Sequence, residues 1–481
     1  MDPSGSSGKP RPVPAGSTLY KNIGTLHTLN STLSEIKDGA IFVKGNVIQW
    51  VGKTKDLPAE FSTADDVIRL ENRVVIPGMV NTHHHMVQSL TRCVAQDSKL
   101  FGWLTSLYPA WGNLSGYDVY IATKLAMAEL ILTGCTTTSD HLYIYPNDVK
   151  LEDCIKASRE IGMRFHPTRG AMTLGQSKGG LPPDNVCEEE DAALATMKQL
   201  IEDFHDNSKY SMLRMGLAPC SPFTVDNSLM IAAAKLARQY EGVRLHTHLA
   251  ENQEDIDFSI KTYGCRPGKY ITDVGWDASD VWFAHCCMLD DAEMKQFHDN
   301  GIGIAHCPSS NLRLASGIAP VRTLLDTGVN VGLGVDGSAS NDCGHLLAEA
   351  RLAMLLQRHT GNAQGMTIAE AFDVAVKGGA RNLGRDDIGE IASGYAADFV
   401  AWRTDTIGFS GGRIDEAAAL LLCGPSVGFV DLSVINGEAV VKDGKFTTID
   451  LTELVKAHNA CSARICSFLG PNWKTGSEPA V

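Results

Sequence analysis

Two histidines separated by one residue lie at the end of a β-branched apolar run. The segment Val74–His85 reads VVIPGMVNTHHH. Alternate side chains of a strand share one face, so we expect His83 and His85 to point to the same side and His84 to the other. Two imidazoles at this spacing can bind one divalent metal ion. A lone triplet is more often a packed or solvated histidine cluster, so this hypothesis depends on the rest of the chain.

The chain after His85 alternates short apolar strands with longer helical stretches, which is typical of βα units and a parallel sheet. Eight such units predict an α/β fold with a (β/α)₈ barrel, whose chemistry lies at the carboxyl ends of the strands. The predicted strands are Val74–Val80, Thr136–Ser139, Met163–Phe165, Leu213–Leu217, Val243–Leu245, Val281–Ala284, Ile302–Ala305 and Val329–Val335.

Polar side chains recur where four more of these strands end. They are His246, His248 and Glu251 after strand five, His285 after strand six, His306 after strand seven and Asp336 after strand eight. A barrel brings such residues together, and this recurrence would be rare by chance. Three histidine nitrogens and one carboxylate suit zinc or iron(II) and leave a position for water, whose pKa the metal lowers. Asp336 could then accept a proton from the water, and Glu251 could protonate the leaving side of a substrate.

Short strands and turns flank the barrel on both sides, including LYKNIGTLHTL, AIFVKGNVIQWVG and VGFVDLSVINGEAVVKDGKF. We expect the early and late β segments to join into one small β-sandwich domain, with the barrel inserted between them. The predicted boundaries are a disordered tail at 1–18, sandwich segments at 19–73 and 386–449, the barrel at 74–385, and a C-terminal helix and tail at 450–481.

Composition excludes several classes of protein. The chain has 481 residues, of which 44% are hydrophobic, and 42 basic against 56 acidic residues give a net charge of −14. This charge argues against nucleic acid or an anionic membrane as a partner. Thirteen scattered cysteines, an odd number, predict reduced thiols in a cytoplasmic compartment. No signal peptide is visible, and the longest apolar run, Ala417–Cys423, is too short to span a membrane.

Four motifs, PGMVNTHHH, HTHLAE, AHC and GVDGSASN, occur in this order at the predicted strand ends. They resemble the amidohydrolase superfamily in its cytosine-, guanine- and adenosylhomocysteine-deaminase branch, over essentially all of residues 19 to 450. The resemblance implies that the metal ligands are His83, His85, His248 and Asp336. It also makes Glu251 the proton shuttle and His285 the residue that orients the hydrolytic water.

The resemblance bears on the number of metals and on the strand-five ligand. Strand four, LRMGLAPCSP, lacks the lysine or glutamate that bridges two metals in binuclear members, so one zinc per subunit is expected, with iron(II) or manganese(II) possible. The His-x-x-Glu spacing to Glu251 favours His248 over His246, which is then expected to face the opposite side of its strand.

Longer segments, NTHHHMVQSLTR, FGWLTSLYPAW, GCTTTSDHLYIYPN and AHCPSSNLRLASGIAP, are similar to the bacterial 8-oxoguanine deaminases. This implies hydrolysis of an amino-heterocycle to its oxo form with loss of ammonia, with 8-oxoguanine giving urate. Isocytosine, a pterin, guanine or a triazine are alternative substrates. A barrel without catalysis, serving as a scaffold, is an alternative of another class, disfavoured because all ligands and the proton shuttle are present. Related proteins oligomerise, so a homo-oligomer is expected.

Candidate substrate contacts follow from positions near the strand ends. Gln88 could hydrogen-bond a ring amide, Arg169 could meet a carbonyl edge, and Cys220 could line the pocket. Trp111 or Tyr108 could stack on the ring, and the surrounding segment, 100–111, could form a lid. Ordinary packing is the alternative for each of these residues. Supporting roles are expected for His141 and Asn341, and His306 could contact the substrate or serve as a supporting or core residue.

Overall fold

The computed structural model describes residues 10–471, 473 and 474, which form a closed barrel and a second, mixed sheet. The strands, in chain order, are β1 (Ser17–His27), β2 (Glu35–Lys44), β3 (Val47–Lys53), β4 (Asp66–Arg69), β5 (Arg73–Pro77), β6 (Met79–Asn81), β7 (Cys135–Leu142), β8 (Arg164–Ala171), β9 (Gly216–Pro219), β10 (Arg244–Leu249), β11 (Val281–His285), β12 (Gly303–His306), β13 (Asn330–Leu333), β14 (Phe399–Arg403), β15 (Leu432–Ile435), β16 (Glu438–Lys442) and β17 (Lys445–Phe446).

Strands β6 to β13 close into a parallel barrel of eight strands, which confirms the predicted barrel. Nearly every residue of these strands is buried, because the interior packs on one face and a ring of helices covers the other. Their carboxyl ends therefore meet at one end of the barrel, where the site lies.

The strand predicted from Val74 to Val80 is divided in two, and this corrects the prediction. Pro77 ends β5 in the mixed sheet, and Gly78 carries the chain across to β6 in the barrel. A side chain at Gly78 would lie 2.0 Å from the hydroxyl oxygen of Thr136, so the crossing requires glycine. The Pro-Gly pair thus marks the passage between the two sheets.

The early and late β segments do join, in a single nine-stranded mixed sheet. Its order is β17-β16-β15-β14-β5-β1-β2-β3, with β4 paired to β1. Residues 1–9 of the predicted disordered tail lie outside the described residues. Within the remainder, Arg11 pairs with Glu438 and donates to the Glu160 carbonyl at 3.2 Å, and β1 begins at Ser17. This part of the tail is therefore attached to the fold, contrary to the prediction.

Helices follow most barrel strands and begin and end at recognisable caps. Ser115 and Asp118 form a capping box at α2, and Gly162 ends α3 with φ of 87°. In the part of the chain that the structure describes, none of the helices is long and apolar enough to cross a membrane. The α-helices are α1 (Leu100–Trp111), α2 (Gly116–Leu132), α3 (Leu151–Ile161), α4 (Glu190–Phe204), α5 (Asn227–Ala237), α6 (Gln253–Tyr263), α7 (Pro267–Asp273), α8 (Asp291–Asn300), α9 (Pro308–Arg313), α10 (Val321–Thr327), α11 (Leu346–Gln357), α12 (Ile368–Asp373), α13 (Gly379–Asn382), α14 (Glu416–Cys423) and α15 (Leu451–Cys466).

A buried ion pair joins the barrel to the mixed sheet. Arg164 at the start of β8 donates to both carboxylate oxygens of Asp398, at 2.7 and 2.9 Å. Its other guanidinium nitrogen donates to the carbonyls of Tyr210 and Ser211, each at 2.8 Å. Asp398 also accepts from the backbone of Asn436 at 2.7 Å. Both charges are thus fully hydrogen-bonded, which is the condition under which a buried pair is tolerated.

Replacing this carboxylate tests the connection between the two sheets. Asp398→Asn leaves the Arg164 charge buried without its counter-ion, so we expect a loss of about 3 kcal/mol in the free energy of unfolding. The measurement is the midpoint of urea unfolding followed by circular dichroism. Asp405→Asn, which removes an exposed pair with Arg403, is the matched control and should leave the midpoint unchanged. Equal midpoints for both variants would contradict the role given to Asp398.

Candidate metal centre and active site

Four predicted metal ligands converge at the carboxyl end of the barrel. His83 and His85 follow β6, His248 lies on β10, and Asp336 follows β13. The Nε2 atoms of His85 and His248 are 3.1 Å apart. Asp336 Oδ1 lies 3.2 Å from His83 Nε2 and 3.5 Å from His85 Nε2. His83, His85 and Asp336 are buried, and His248 is partly buried. Ligand atoms of the three histidines lie within 4.8 Å of one another, and Asp336 belongs to a second such group with His83 and His285, so one ion could contact the histidines with the carboxylate beside it.

The hydrogen bonds at the far side of each ring determine which nitrogen carries the proton. His85 Nδ1 faces the His141 carbonyl at 2.7 Å, and His248 Nδ1 faces the Cys220 carbonyl at 2.6 Å. A carbonyl only accepts, so each Nδ1 must donate, and each neutral ring then has a lone pair on Nε2. This arrangement is typical of metal-binding histidines, whose second nitrogen is held by a fixed acceptor.

The tautomer of His83 follows from a chain of two hydrogen bonds. His246 Nδ1 lies 2.8 Å from the Trp282 carbonyl and therefore donates to it. His246 Nε2 is then the acceptor for His83 Nδ1, which lies 2.8 Å away. His83 Nε2, which has no hydrogen-bond partner among the described residues, is left with a lone pair directed at Asp336.

These contacts place lone pairs and a carboxylate against one another in a buried space. Protonation does not relieve the repulsion, because burial lowers the pKa of His83 well below its usual range and that of His248 to about 3. Burial opposes ionisation of Asp336 as well, but the neighbouring imidazoles outweigh it and hold its pKa well below normal. Three neutral nitrogens and one carboxylate fit a divalent cation.

His246 shares the inner face of β10 with His248, which corrects the expectation that it faces the opposite side. Its fully buried ring lies deeper in the barrel and stacks on Trp282 with centroids 4.4 Å apart. From there it orients His83 rather than joining the metal ligands. His84 does point away from them, and neither of its nitrogens has a hydrogen-bond partner in the described part of the chain.

Glu251 and His285 lie side by side next to the ligand set. His285 Nε2 is 3.7 Å from Glu251 Oε2 and 3.9 Å from Asp336 Oδ2. Ser316 donates to Glu251 Oε1 at 3.1 Å, and Asn311 Oδ1 holds His285 Nδ1 at 2.8 Å. Burial raises the pKa of Glu251. Burial alone would lower the pKa of His285, but the two carboxylates outweigh it and raise it.

The backbone is strained where these side chains leave their strands. His285 has φ of 71°, Asp336 has φ of 61° and Ala250, just before Glu251, has φ of 50°. Residues other than glycine seldom adopt this region, and such conformations persist only where the surrounding structure enforces them. The strain re-aims these carboxylates and the imidazole toward one point.

A cavity of about 450 Å³, counted to its mouth, opens directly above the ligands. Its walls are mainly apolar and aromatic, and no lysine or arginine is among the described residues that line it. They are His85, Gln88, Leu100, Trp103, Leu104, Tyr108, Tyr143, Cys220, Ser221, Phe223, Thr224, His248, Glu251, His285, Leu314, Asp336 and Ser340.

The structure brings some of the predicted substrate residues to this cavity and leaves others outside. Gln88, Cys220 and Tyr108 line it. Trp111, the last residue of α1, does not: its indole is buried and donates to the Thr91 hydroxyl at 3.1 Å.

Arg169 is also outside the cavity, contrary to the expectation that it contacts substrate. Its guanidinium makes two hydrogen bonds to the Glu188 carboxylate, at 2.6 and 2.8 Å, and lies 3.8 Å from the centre of the Tyr145 ring. Those contacts attach the loop after β8 to the barrel. The guanidinium is therefore paired with Glu188 and Tyr145 instead of a substrate.

Several residues that complete the site were not predicted from the sequence. Tyr143 and Trp103 form walls of the cavity, while Ser316 and Asn311 hold Glu251 and His285. Tyr143 follows a strand end and could have been found by the rule used for the ligands. The partners on the loop after β12 depend on how that loop folds back, which no local pattern indicates.

His141 was expected to play a supporting role, and its place agrees with that. Its carbonyl holds His85, its Nε2 lies 2.8 Å from the Ala218 carbonyl, and a ligand atom of its ring lies within 4.8 Å of those of His83, His85 and His248. His306 is buried near His285, with no hydrogen-bond partner for either nitrogen among the described residues. Asn341 donates to the carbonyl before Asp336 at 2.6 Å.

Residues 74–440 match the amidohydrolase family. The chain belongs to this family. An 8-oxoguanine deaminase of Pseudomonas aeruginosa is 40% identical over 452 residues, covering 93% of this chain and 99% of the relative. A hydroxydechloroatrazine ethylaminohydrolase of Pseudomonas sp. is 32% identical over 465 residues, covering 93% of this chain and 95% of the relative.

Solved structures agree with the assignment to the amidohydrolase family. The crystal structure of an atrazine chlorohydrolase from Arthrobacter aurescens, complexed with zinc, superposes with a TM-score of 0.87 at 32% identity and covers 92% of this chain and all of that one. The predicted family and barrel fold are thus confirmed, and the protein is a hydrolase of the amidohydrolase family.

Removing one ligand tests the metal centre. His83→Ala deletes one of three imidazole nitrogens, so we expect affinity for Zn²⁺ to fall more than about 100-fold, beyond the usual effect of changing a group that merely supports a ligand. His84→Leu keeps a buried side chain of similar volume on the opposite face and is the control. Metal content after equilibration in zinc buffers is the measurement. A His83→Ala protein that retains a full equivalent of zinc would refute the ligand assignment.

Proposed function

We propose that this amidohydrolase is a metal-dependent deaminase that converts an amino-heterocycle to its oxo form with release of ammonia, with 8-oxoguanine as substrate and urate as product. The observation that carries the proposal is the juxtaposition of a complete ligand set with a separate carboxyl, Glu251, at the floor of one cavity. A barrel used only as a scaffold has no need of the strained backbone that aims these groups.

The proposed resident metal is one Zn²⁺ per chain, with iron(II) or manganese(II) as alternatives for the same ligands. The ligands are the three imidazole nitrogens and Asp336 described above. When bound, the ion lowers the pKa of water toward neutrality and so supplies a nucleophile at physiological pH. The zinc of the Arthrobacter aurescens structure supports this proposal.

The chain's own residues manage the protons of the reaction. Water adds its oxygen to the ring carbon that bears the amino group, and the bond from that carbon to the amine breaks. Asp336, which stays ionised in its buried site, is placed to receive a proton from the water. Glu251 can hold a proton because burial raises its pKa, and its free oxygen can deliver that proton to the ring nitrogen or to the departing amine.

His285 completes this group from the next strand. Its Nε2 lies between the carboxylates of Glu251 and Asp336, within 4 Å of both. An imidazole in this place can donate a hydrogen bond to the attacking oxygen and hold it in line with the substrate carbon. The oxygen is thus oriented by a residue that is itself fixed by Asn311.

The residues that line the cavity support the proposal of a neutral, planar substrate. The aromatic walls of the cavity offer faces on which a ring can stack, and its lining has no lysine or arginine to pair with a phosphate or carboxylate. The Gln88 amide presents an oxygen with no hydrogen-bond partner among the described residues. Such a group recognises a ring N–H. The Pseudomonas aeruginosa relative supports 8-oxoguanine in particular, whereas the triazine-hydrolysing relatives keep a triazine as the second candidate.

Ammonia release by the zinc-loaded protein tests the proposal. The panel is 8-oxoguanine, guanine, isocytosine, isoxanthopterin, cytosine and a hydroxytriazine. We expect the highest kcat/KM with 8-oxoguanine and one urate formed per ammonia. Preference for another ring would keep the reaction and change the substrate. No ammonia from any compound, with zinc bound, would contradict the proposed reaction.

The proton shuttle can be tested separately from the metal. Glu251→Gln keeps the size and the contact with Ser316 but cannot transfer a proton, so kcat should fall by about 10²–10⁴-fold with unchanged zinc content. Glu241→Gln, the same substitution at an exposed position, is the control and should not change kcat. Full activity of the Glu251→Gln protein would remove this residue from the mechanism.

A further inference from the structure

Helix α15 and residues 473 and 474 hydrogen-bond to the segment that follows the proposed ligand His85. We use the term C-terminal clamp for α15 (Leu451–Cys466) together with Trp473 and Lys474. The clamp contacts residues 86–99, which join the metal ligand His85 to α1 and which we call the wall segment. The proposed function assigns no role to the clamp.

Three hydrogen bonds attach α15 to the first turn of the wall segment, and the longest runs from the Cys466 thiol to the Leu90 carbonyl at 3.5 Å. This turn is a short 3₁₀ helix, Met86–Thr91, all of whose residues are buried. Ser462 donates to the Leu90 carbonyl at 2.7 Å, and His458 Nε2 hydrogen-bonds to the Ser89 hydroxyl at 3.0 Å. Neither Ser462 nor His458 is among the residues that line the cavity.

The end of the clamp holds the next part of the wall segment through its backbone. The N–H of Ala95 donates to the Trp473 carbonyl at 2.6 Å, and the N–H of Gln96 donates to the Lys474 carbonyl at 2.9 Å. Arg313 fixes the same stretch from the other side, through the Ala95 carbonyl at 3.0 Å. Residues 89–96 are therefore held between the C-terminal clamp and the loop after β12.

The inner side of the wall segment faces the substrate cavity. Gln88, one residue before Ser89, lines the cavity, and its Nε2 is 3.4 Å from the hydroxyl of Tyr143. The segment then leads into α1, which contributes Leu100, Trp103 and other side chains to the same cavity. A shift of residues 89–96 would move both the amide and the apolar wall.

The metal ligand next to the wall segment is held independently of the clamp. His85 Nδ1 is bonded to the His141 carbonyl on β7, and its ring packs edge-on against Tyr143 with centroids 5.0 Å apart. Loosening α15 should therefore disturb the substrate wall while leaving the metal in place.

We propose that the C-terminal clamp is a positioning element for substrate binding, in which His458 and Ser462 hold the wall segment so that Gln88 and α1 enclose the ring. The proposal rests on the proposed function insofar as Gln88 binds the substrate. Neither residue touches the substrate; each acts through the backbone or hydroxyl of the turn that bears Gln88.

The test uses the full-length, zinc-loaded protein with His458→Ala and Ser462→Ala. Each variant loses one hydrogen bond to the wall segment, so we expect KM for the preferred substrate to rise about fivefold, kcat to change less than about twofold, and zinc content to stay at the wild-type level. Hydrogen–deuterium exchange of peptides covering residues 86–99 should become faster. His458→Gln, which keeps a hydrogen-bonding group, should restore part of the loss.

Lys456→Ala on the same helix is the matched control, because its side chain is 78% exposed. Wild-type KM and exchange in both clamp variants would overturn the proposal, and so would a loss of zinc that parallels the rise in KM. The exchange measurement needs no substrate. It therefore tests the clamp even if no compound of the panel releases ammonia. Exchange of residues 86–99 that is as slow in both clamp variants as in the wild type would refute the role of the clamp, and faster exchange in the variants would support it.

Discussion

The site depends on a repulsion that the fold cannot relieve by itself. Two imidazole lone pairs, on His85 and His248, face each other at 3.1 Å, and a third, on His83, faces the Asp336 carboxylate at 3.2 Å. Fixed carbonyl acceptors behind the rings prevent the tautomers from changing. Burial keeps the rings neutral. A cation among these four groups converts the repulsion into attraction, so the geometry of the chain is complementary to a metal ion.

The barrel provides the rigidity that holds these groups in place against their repulsion. The ligands come from three strands of one closed sheet, and the positive φ angles of His285 and Asp336 show that the backbone is forced to aim them. Since the strained residues are those that we propose to hold or orient the reacting groups, we assign the strain to the site. The cavity above is built differently. Its walls come from α1 and from loops, and the C-terminal helix hydrogen-bonds to the turn that precedes α1.

This difference explains what could be predicted from the sequence. The ligands lie at strand ends, and strand order alone brings strand ends together in a barrel, so their convergence required no knowledge of the loops. The face on which His246 lies could also have been predicted, because residues two apart on a strand share a side. The expectation that His246 and His248 face opposite sides did not follow this rule. Gly78 shows where local pattern fails: a single apolar run contains the passage between two sheets.

Substrate contacts were harder to predict for a physical reason. Arg169 meets a carboxylate 19 residues further on, after a loop whose path no periodicity describes. The sequence predicted that the third barrel strand ends at Phe165 and that Arg169 follows it. Strand β8 instead extends to Ala171, so Arg169 lies within the strand. The Trp111 ring contacts the rings of Tyr108 and Trp103 on the same helix, so spacing does not separate them and only the packing of α1 decides which aromatic ring faces the cavity.

X-ray absorption at the zinc edge, with metal content measured on the same sample, tests the central claim most directly. One zinc per chain, surrounded by nitrogen and oxygen atoms at about 2.0–2.2 Å, with the outer-shell signal of three imidazoles, is the result that the structure predicts. Two metals per chain, or a sulfur atom near 2.3 Å from a thiol such as Cys220, would contradict it.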